Sequence, residues 1–586
     1  MINFIVPVLF ISVGWFLYEP VSFFASSVLF LYTIIMLLVD KKKLFRFNLL
    51  LFLALSLPFT YIISGIFNSQ SIYNLINGSN GRNLGVSSLI SLSLILIYMS
   101  RTKLDIQKFI TYNLGITLIL ANLYGYLQYF NLDPIKWVNP NNAVTLTLGN
   151  PNFAGALFGC LTIYSLHSFL STYNLAMRIG LVGFGLSSIF LSFKTNSLQS
   201  PLLILLSIFL YVIILSLNDL SKKLRLLKYS SITLVLSLIF TIGFLVKFSL
   251  SFRNRIFSEG SISPRIDYWR TGLEIWQDNK LLGVGADEFQ RFAAIYRTPS
   301  QVVRDSNFII PDKAHNVFID HLANGGFIAA LLWLSLVLYT IRCLTYLIYK
   351  SSMNRKQLAF FGSVYLSYIA QTMISPDQII LATIGTVISG AIIGMYFLHQ
   401  GSEVKTQSAV KPNHPATKFA LALLAIIMSL YYSAGIKAQY QAKQILDGEI
   451  VGKDSYVNVI NSWPNVKFTE EMAIESLREP DNCDFSIIAA NRLLELDNRN
   501  SQGWFIKAAC ANIDRKFDLA VKYVDNSIKF DPLNVYYIVS KAKLLISANR
   551  LDEAELTLSK AKSINPSEPD IGSVEESLRI LTNQSS

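Results

Sequence analysis

The chain has 586 residues, of which 52% are hydrophobic and 15% are charged, and its mean hydropathy is +0.43. Because soluble domains carry about 25% charged residues, this composition excludes a soluble protein for most of the length. The net charge of +12 would favour a nucleic-acid ligand in a soluble protein, but here the excess falls in short loops between apolar segments, as is typical of membrane proteins.

Apolar segments of membrane-spanning length recur from Phe4 to Tyr432. A membrane helix needs about 18 or more apolar residues, and we expect about 13 such helices. The first segment lacks a basic leader and a small-residue cleavage site, so it is interpreted as an uncleaved helix rather than a signal peptide. The predicted spans are 2–18, 21–39, 47–66, 85–100, 109–127, 152–171, 176–193, 199–216, 230–248, 322–341, 358–375, 379–398 and 418–435.

Basic residues cluster in alternate loops, for example at 41–46 and 222–228. The intervening short loops carry only Arg82, Lys136 and Lys194. The positive-inside rule assigns the basic loops to the cytoplasm, and an odd number of spans then leaves the C-terminal tail on the outer side. The loops predicted to face outward are 67–84, 128–151, 194–198 and 249–321.

These patterns predict an all-α protein with four parts. Two are transmembrane bundles and two are extracytoplasmic. The parts are an N-terminal transmembrane bundle at 1–248, an extracytoplasmic catalytic loop at 249–321, a C-terminal transmembrane bundle at 322–437 and an extracytoplasmic repeat domain at 438–586.

The tail contains an internal repeat. Asp497, Asp531 and Asn565 are spaced by 34 residues, and helix-length apolar patterns lie between them. A period of 34 with paired helices resembles tetratricopeptide repeats, so we expect a soluble α-solenoid with two clear repeats and a degenerate one from about Asn465. Such a solenoid either binds a peptide or protein partner on its concave face or serves as a spacer.

The four cysteines form no motif. Cys160 and Cys343 lie in predicted spans, where a small buried side chain is expected. Cys483 and Cys510 lie in the tail, and they either pair in an oxidising compartment or remain free.

The longest polar interval between spans, Ser263 to Phe327, contains the candidate reactive groups. His315 precedes an apolar helix at the membrane surface, where an imidazole can take a proton from a hydroxyl group at neutral pH. The alternative is a surface or capping histidine without a chemical role.

Two arginines predicted to face outward favour an anionic ligand. Arg265 follows Ser263-Pro264, a helix start, so its cation opposes the helix dipole unless an anion binds there. Arg82 lies in a glycine-bearing loop, Gly78 to Asn83, at the top of a span. Guanidinium groups pair with phosphate oxygens in a bidentate way, which suits a pyrophosphate; the alternative is interface arginines that snorkel to the headgroups.

Metal and nucleotide sites are not expected. No histidine or cysteine cluster has ligand spacing, and no glycine-rich phosphate loop of the nucleotide-binding kind occurs. We therefore predict no cofactor, and the donor substrate must carry its own leaving group.

The chain resembles the superfamily of O-antigen ligases, O-antigen polymerases and bacterial protein O-oligosaccharyltransferases over roughly residues 1–400. Many members also end in tetratricopeptide repeats. Short motifs in a specific order carry the resemblance. They are the Gly78–Gly85 loop with Arg82, the Gly149–Gly155 segment that opens a span, Arg265 with Trp269 followed by Leu282–Gly285 and Phe289, and Ala314-His315-Asn316 with Gly325-Gly326.

The resemblance implies a metal-independent inverting glycosyltransferase of the polytopic, lipid-donor type C kind. Its donor would be a glycan on undecaprenyl pyrophosphate in the outer leaflet. Arg265 and His315 would be catalytic, His315 by activating or orienting the acceptor hydroxyl. Donor pyrophosphate binding is expected at Arg82, Arg265, Arg270 and Lys194, and the pocket is expected to include Asn150, Asn152, Asn316 and Gln199.

One departure concerns the loop before the eighth span. Many members carry an arginine there, whereas this chain reads Lys194 to Pro201 without one. Lys194 or Gln199 is the substitute, although a lysine is only a point charge.

The resemblance predicts glycan transfer to an acceptor hydroxyl at the outer face of the cytoplasmic membrane. The acceptor is a lipid glycan core, a growing glycan chain or a protein, so ligase, polymerase and protein O-oligosaccharyltransferase remain open, and the repeat tail offers a surface for a protein partner. A glycan transporter or a non-catalytic assembly scaffold is a different class. Transporters usually carry charged residues inside their spans, and the spans of this chain are nearly free of them.

Overall fold

The computed structural model describes residues 4–19, 21–39, 48–79, 81–101, 105–135, 143–217, 229, 232, 262–400, 415–476 and 483–585. Within these ranges all regular secondary structure is helical, which confirms the all-α prediction. A π turn, Thr111–Gly115, joins α6 to α7, and a 3-10 turn, Leu146–Leu148, precedes α8. The α-helices are α1 Ile5–Ile11, α2 Ser22–Val39, α3 Leu49–Phe67, α4 Ile72–Asn77, α5 Val86–Arg101, α6 Ile106–Ile110, α7 Ile116–Tyr129, α8 Pro151–Ser171, α9 Leu175–Lys194, α10 Gln199–Ser216, α11 Ile262–Asp278, α12 Phe289–Tyr296, α13 Pro299–Asp305, α14 Val317–Lys350, α15 Arg355–Thr372, α16 Ile379–His399, α17 Pro415–Leu446, α18 Lys453–Ser462, α19 Val466–Ser476, α20 Cys483–Leu496, α21 Ser501–Ile513, α22 Phe517–Phe530, α23 Val535–Ser547, α24 Leu551–Ile564 and α25 Pro569–Ser585.

Eight of the described helices are long and apolar enough to cross a membrane. They are α2, α3, α8, α9, α10, α14, α16 and α17, and each coincides with a predicted span. Helices also occupy the predicted spans 85–100, 109–127 and 358–375, but these three do not belong to the eight. The prediction of about 13 spans therefore stays a prediction.

One predicted span differs from the described structure, and another lies almost entirely outside it. The first was expected at 2–18, but α1 ends at Ile11 and turns follow. Seven helical residues rise about 10 Å, far less than the hydrocarbon core of about 30 Å, so this span is wrong in its extent. The span predicted at 230–248 lies outside the described residues apart from residue 232, as do the basic loops 41–46 and 222–228 and Lys136.

The chain divides into two compact units. The first comprises 1–263, 280–287 and 315–433, and the second comprises 264–279, 288–314 and 434–586. The loop predicted at 249–321 is thus shared between them.

In the first unit α16 is the central helix, because 89% of its most apolar stretch is buried, the highest share among the eight apolar helices described. It packs against α5, α14 and α15, and α8 packs against α9 and α10. Long apolar helices bury backbone hydrogen bonds within themselves, which is what a bilayer requires of a spanning segment.

In the second unit the helices from α20 to α25 pack in sequence, each against the next. Their core is apolar and includes Val524, Ile538 and Leu558. A disulfide joins Cys483 in α20 to Cys510 in α21, with Cα atoms 5.6 Å apart. This answers the question that the sequence left open about the two tail cysteines.

Candidate active site

The loop that carries Arg82 connects α4 to α5 and closes on itself. The Gly85 N–H donates to the Asn77 carbonyl at 3.2 Å, and a side chain at Gly85 would meet the backbone of Gly78. Gly78 has a φ of +81°, a conformation that glycine adopts without strain. The glycines of this motif are therefore required by the close approach of its two ends.

The Asp287 carboxylate holds this loop in place. Its Oδ2 accepts hydrogen bonds from the Ser79 N–H at 2.8 Å, the Ser79 hydroxyl at 3.0 Å and the Leu84 N–H at 3.4 Å. The Asp287 side chain is buried, at 4% exposure. A buried carboxylate with several backbone donors makes strong, charge-assisted hydrogen bonds, so Asp287 is a positioning residue for the Arg82 loop.

Segment 280–287 owes its own position to a break in α14. Gly326 has non-helical angles (φ 69°, ψ −170°), and the carbonyls exposed there accept the N–H groups of Val284 and Gly285. Gln70 braces the same segment, because its side chain donates to the Ala286 carbonyl at 2.7 Å and accepts from the Ala286 N–H at 3.1 Å. The Leu282–Gly285 motif and the Gly325-Gly326 pair thus lie where segment 280–287 packs against the break in α14.

The N-terminus of α8 lies beside the Arg82 loop. Asn150 caps the helix by accepting the Asn152 N–H at 2.8 Å. The guanidinium carbon of Arg82 is 5.4 Å from the centroid of the buried Phe153 ring, a cation–π distance. Arg82 is therefore placed close to the first turn of α8, where the helix dipole also favours negative charge.

The N-terminus of α8 is also in contact with the loop that precedes α10. The Ser197 hydroxyl donates to Asn152 Oδ1 at 2.5 Å, which joins the loop before α10 to the α8 N-terminus. Gln199 is buried, and its Oε1 accepts the Ser375 hydroxyl at 2.9 Å. Lys194 projects over aromatic rings, with its Nζ 5.2 Å from the centroid of Tyr129.

His315 and Asn316 stand at the start of α14. Asn316 caps this helix by accepting the Ile319 N–H at 3.2 Å, and its Nδ2 donates to the Met373 carbonyl at 3.0 Å. His315 is half-buried and has a φ of +56°. The capped helix end thus fixes the backbone that carries the imidazole.

Five predicted residues of the first unit therefore make contacts at helix ends. They are Arg82, Asn150, Asn152, Gln199 and Asn316, and His315 is adjacent in sequence to the last. Lys194 ends α9, and the loop after it leads to Ser197 and Gln199.

Left-handed backbone conformations recur in these loops. Asn83, Asn196, Asp287 and His315 have φ between +51° and +62°. Such conformations are uncommon for residues with a side chain and concentrate at functional sites. Asn83 is also fully buried.

Arg265 and Arg270 lie on α11 in the second unit. Arg265 is half-buried, and burial lowers the pKa of its guanidinium from the ordinary value, although arginine stays charged in proteins. Arg270 is exposed, and its Nε donates to Glu274 Oε1 at 2.9 Å. The two arginines thus differ: the charge of one is partly desolvated, and the charge of the other is balanced by a surface carboxylate.

Comparison with known families supports the resemblance. Residues 163–334 match the family model of the O-antigen ligases. The matched region runs from α8 to α14 and includes Arg265 and His315, whereas Arg82 and Asn150 lie before it. It covers less than half of the chain and supports glycan transfer at a membrane as the general function. A search of curated proteins found no match.

The sequence did not reveal the role of Asp287. It is one of several acids in the polar interval Ser263 to Phe327. The available signal is its place two residues after the Leu282–Gly285 motif, but its partner Ser79 is 208 residues away. Among the described residues, no group of three or more histidine, cysteine, aspartate or glutamate side chains is arranged to hold a metal ion.

Proposed function

We propose that the chain transfers a glycan from an undecaprenyl-pyrophosphate-linked donor to an acceptor hydroxyl at the outer face of the cytoplasmic membrane. The observation that supports this most is the placement of Arg82 beside the N-terminus of α8, in a loop fixed by Asp287. A guanidinium group, backbone N–H groups and a helix dipole together favour a phosphate-rich ligand.

The pyrophosphate is both anchor and leaving group in this reaction. As the acceptor oxygen attacks the anomeric carbon, the bond from that carbon to the pyrophosphate oxygen breaks with inversion, and negative charge grows on the departing group. Arg82 stabilises this charge at the transition state. By the family resemblance, Arg265 is assigned the same ligand, and its partly desolvated guanidinium suits an anion.

His315 serves as the base. Its imidazole accepts the proton of the acceptor hydroxyl as the new glycosidic bond forms, so the proton passes from substrate to protein while the pyrophosphate leaves as an anion. Asn152 and Asn316 shape the pocket around the donor through the helix ends that they connect.

The proposal includes a topology. Loop 249–321 and the tail from residue 438 lie on the outer side, where the lipid-linked donor is presented. The tail is proposed to be a tetratricopeptide-like solenoid, since its turns recur at 34-residue intervals and its helices pack in sequence.

The experiment is glycan transfer by membrane vesicles supplied with the lipid-linked donor. H315A should lower the transfer rate by about 100-fold or more, the contribution expected of a general base. H399A is the matched control, because His399 ends α16 and packs on Tyr346 away from these loops. If H315A transfers glycan at the rate of H399A, with equal amounts in the membrane, His315 is not the base.

A further inference from the structure

The repeat helices of the second unit share one edge. After each of α20, α22 and α24 the chain makes the same turn, at 497–500, 531–534 and 565–568. In each turn the fourth N–H donates to the first carbonyl, at 3.0, 3.2 and 3.3 Å. The three turns therefore present equivalent positions at successive 34-residue steps.

All three turns contact one segment of the same chain, Glu288 to Phe308. In the first turn Asp497 accepts Arg291 Nε at 2.6 Å, and both side chains are largely buried. In the third turn Glu568 accepts Asn307 Nδ2 at 3.1 Å. The segment thus follows the repeat from one turn to the next.

The middle turn holds the segment most firmly. Arg297 Nη2 lies 2.5 Å from Asp531 Oδ1, and the two side chains are 0% and 1% exposed. The other edge of the Arg297 guanidinium donates to the Asn307 carbonyl, which also accepts Asn534 Nδ2 at 3.2 Å. A buried ion pair with further hydrogen bonds is costly to break from one side only, because the remaining charge is left in a low-dielectric site.

The same segment also contacts α11, the helix that carries Arg265. Arg304 Nη1 lies 2.6 Å from Asp267 Oδ2, two residues after Arg265. The Tyr296 hydroxyl donates to Asp278 at 2.6 Å, at the other end of α11. The segment is therefore held by the repeat turns on one side and by both ends of α11 on the other.

We propose that the repeat edge binds the chain's own segment 288–308 and thereby positions α11, with Arg297 and Asp531 as the positioning residues. The assignment of Arg265 to the donor rests on the proposed function; the docking itself does not. On this account the three turns are occupied in cis, so a second protein that binds the tail uses a different surface.

Hydrogen exchange of the full-length chain in lipid nanodiscs tests the docking. D531N removes the charge of the middle turn while keeping its shape. Amides of 288–308 and of α11 should then exchange about tenfold faster or more, while α20 to α25 keep their protection. E553Q, which removes an exposed pair with Arg550, is the control and should change neither region.

Unchanged exchange at 288–308 in D531N would overturn the proposal. If D531N also exposes the repeat helices, R291Q decides, because it removes the first-turn contact with Asp497, together with a pair to Glu288 within the segment, and leaves the middle turn intact. Faster exchange near Arg291 supports docking, and unchanged exchange refutes it.

Transfer activity provides a second, separate readout. R297M should lower transfer about tenfold through displacement of Arg265, and R297K, which keeps the positive charge, should recover part of it. If the wild-type chain transfers no glycan, the proposed function fails while the exchange data still decide the docking. If R297M releases the segment without changing transfer, the positioning role of the pair is refuted.

Discussion

The position of the loop that carries Arg82 depends on the Asp287 carboxylate, which is distant in sequence but hydrogen-bonded to that loop. The sequence indicated the arginine, its glycine loop and the capping asparagine of α8, because each is a local pattern. The hydrogen bonds from Ser79 and Leu84 to Asp287 join residues 208 and 203 positions apart, and no local pattern encodes such a pairing. The roles of Arg270 and Lys194 in donor binding stay predictions.

D287N tests this dependence. Loss of the charge weakens hydrogen bonds to the Arg82 loop that are worth about 1.5–3 kcal/mol each when charged. We expect the transfer rate to fall about tenfold, with faster exchange of the Ser79 and Leu84 amides.

D105N is the matched control, because Asp105 is an exposed carboxylate that also accepts a backbone N–H, from Lys108. An unaltered transfer rate in D287N, with the loop amides still protected, would remove Asp287 from the account.

The sequence predicted the presence of the long apolar helices well, but it did not predict where helices end or break. Eight apolar segments became helices of spanning length because length and hydropathy are properties of the segment alone. The break in α14 at Gly326 follows from the packing of segment 280–287 across it, so the Gly325-Gly326 pair marked its position without revealing its partner. The short α1 shows that an apolar stretch does not by itself fix where a helix ends.

The disulfide between α20 and α21 yields a prediction for the tail. A crosslink that closes a loop of 27 residues should stabilise the second unit by about 3.5 kcal/mol, so its reduction should lower the unfolding midpoint of the repeat helices. Such a bond also requires an oxidising compartment.

Thiol labelling in intact cells checks the location of the tail. In a C160S/C343S background, a maleimide reagent should label Cys483 and Cys510 only after reduction. Labelling of both thiols in unreduced, denatured samples would mean that the tail lies in a reducing compartment.

At the scale of the whole molecule, composition predicted a polytopic membrane protein, and the 34-residue period predicted a repeating tail. The sequence left open whether that tail binds a partner or acts as a spacer. The contacts of Arg291, Arg297 and Asn307 favour a third role, in which the tail binds its own chain. The sequence alone does not reveal this role, because the two residues of each contact are more than 200 positions apart.

The most direct test of the central claim is the affinity of the purified chain for undecaprenyl pyrophosphate. Arg82 precedes α5 and Arg101 is its last residue, and the 16 residues of α5 extend about 24 Å. If Arg82 binds the pyrophosphate, R82A should weaken binding by about tenfold or more, while R101A should leave it unchanged. Equal affinities of wild type, R82A and R101A would contradict a donor site at the Arg82 loop.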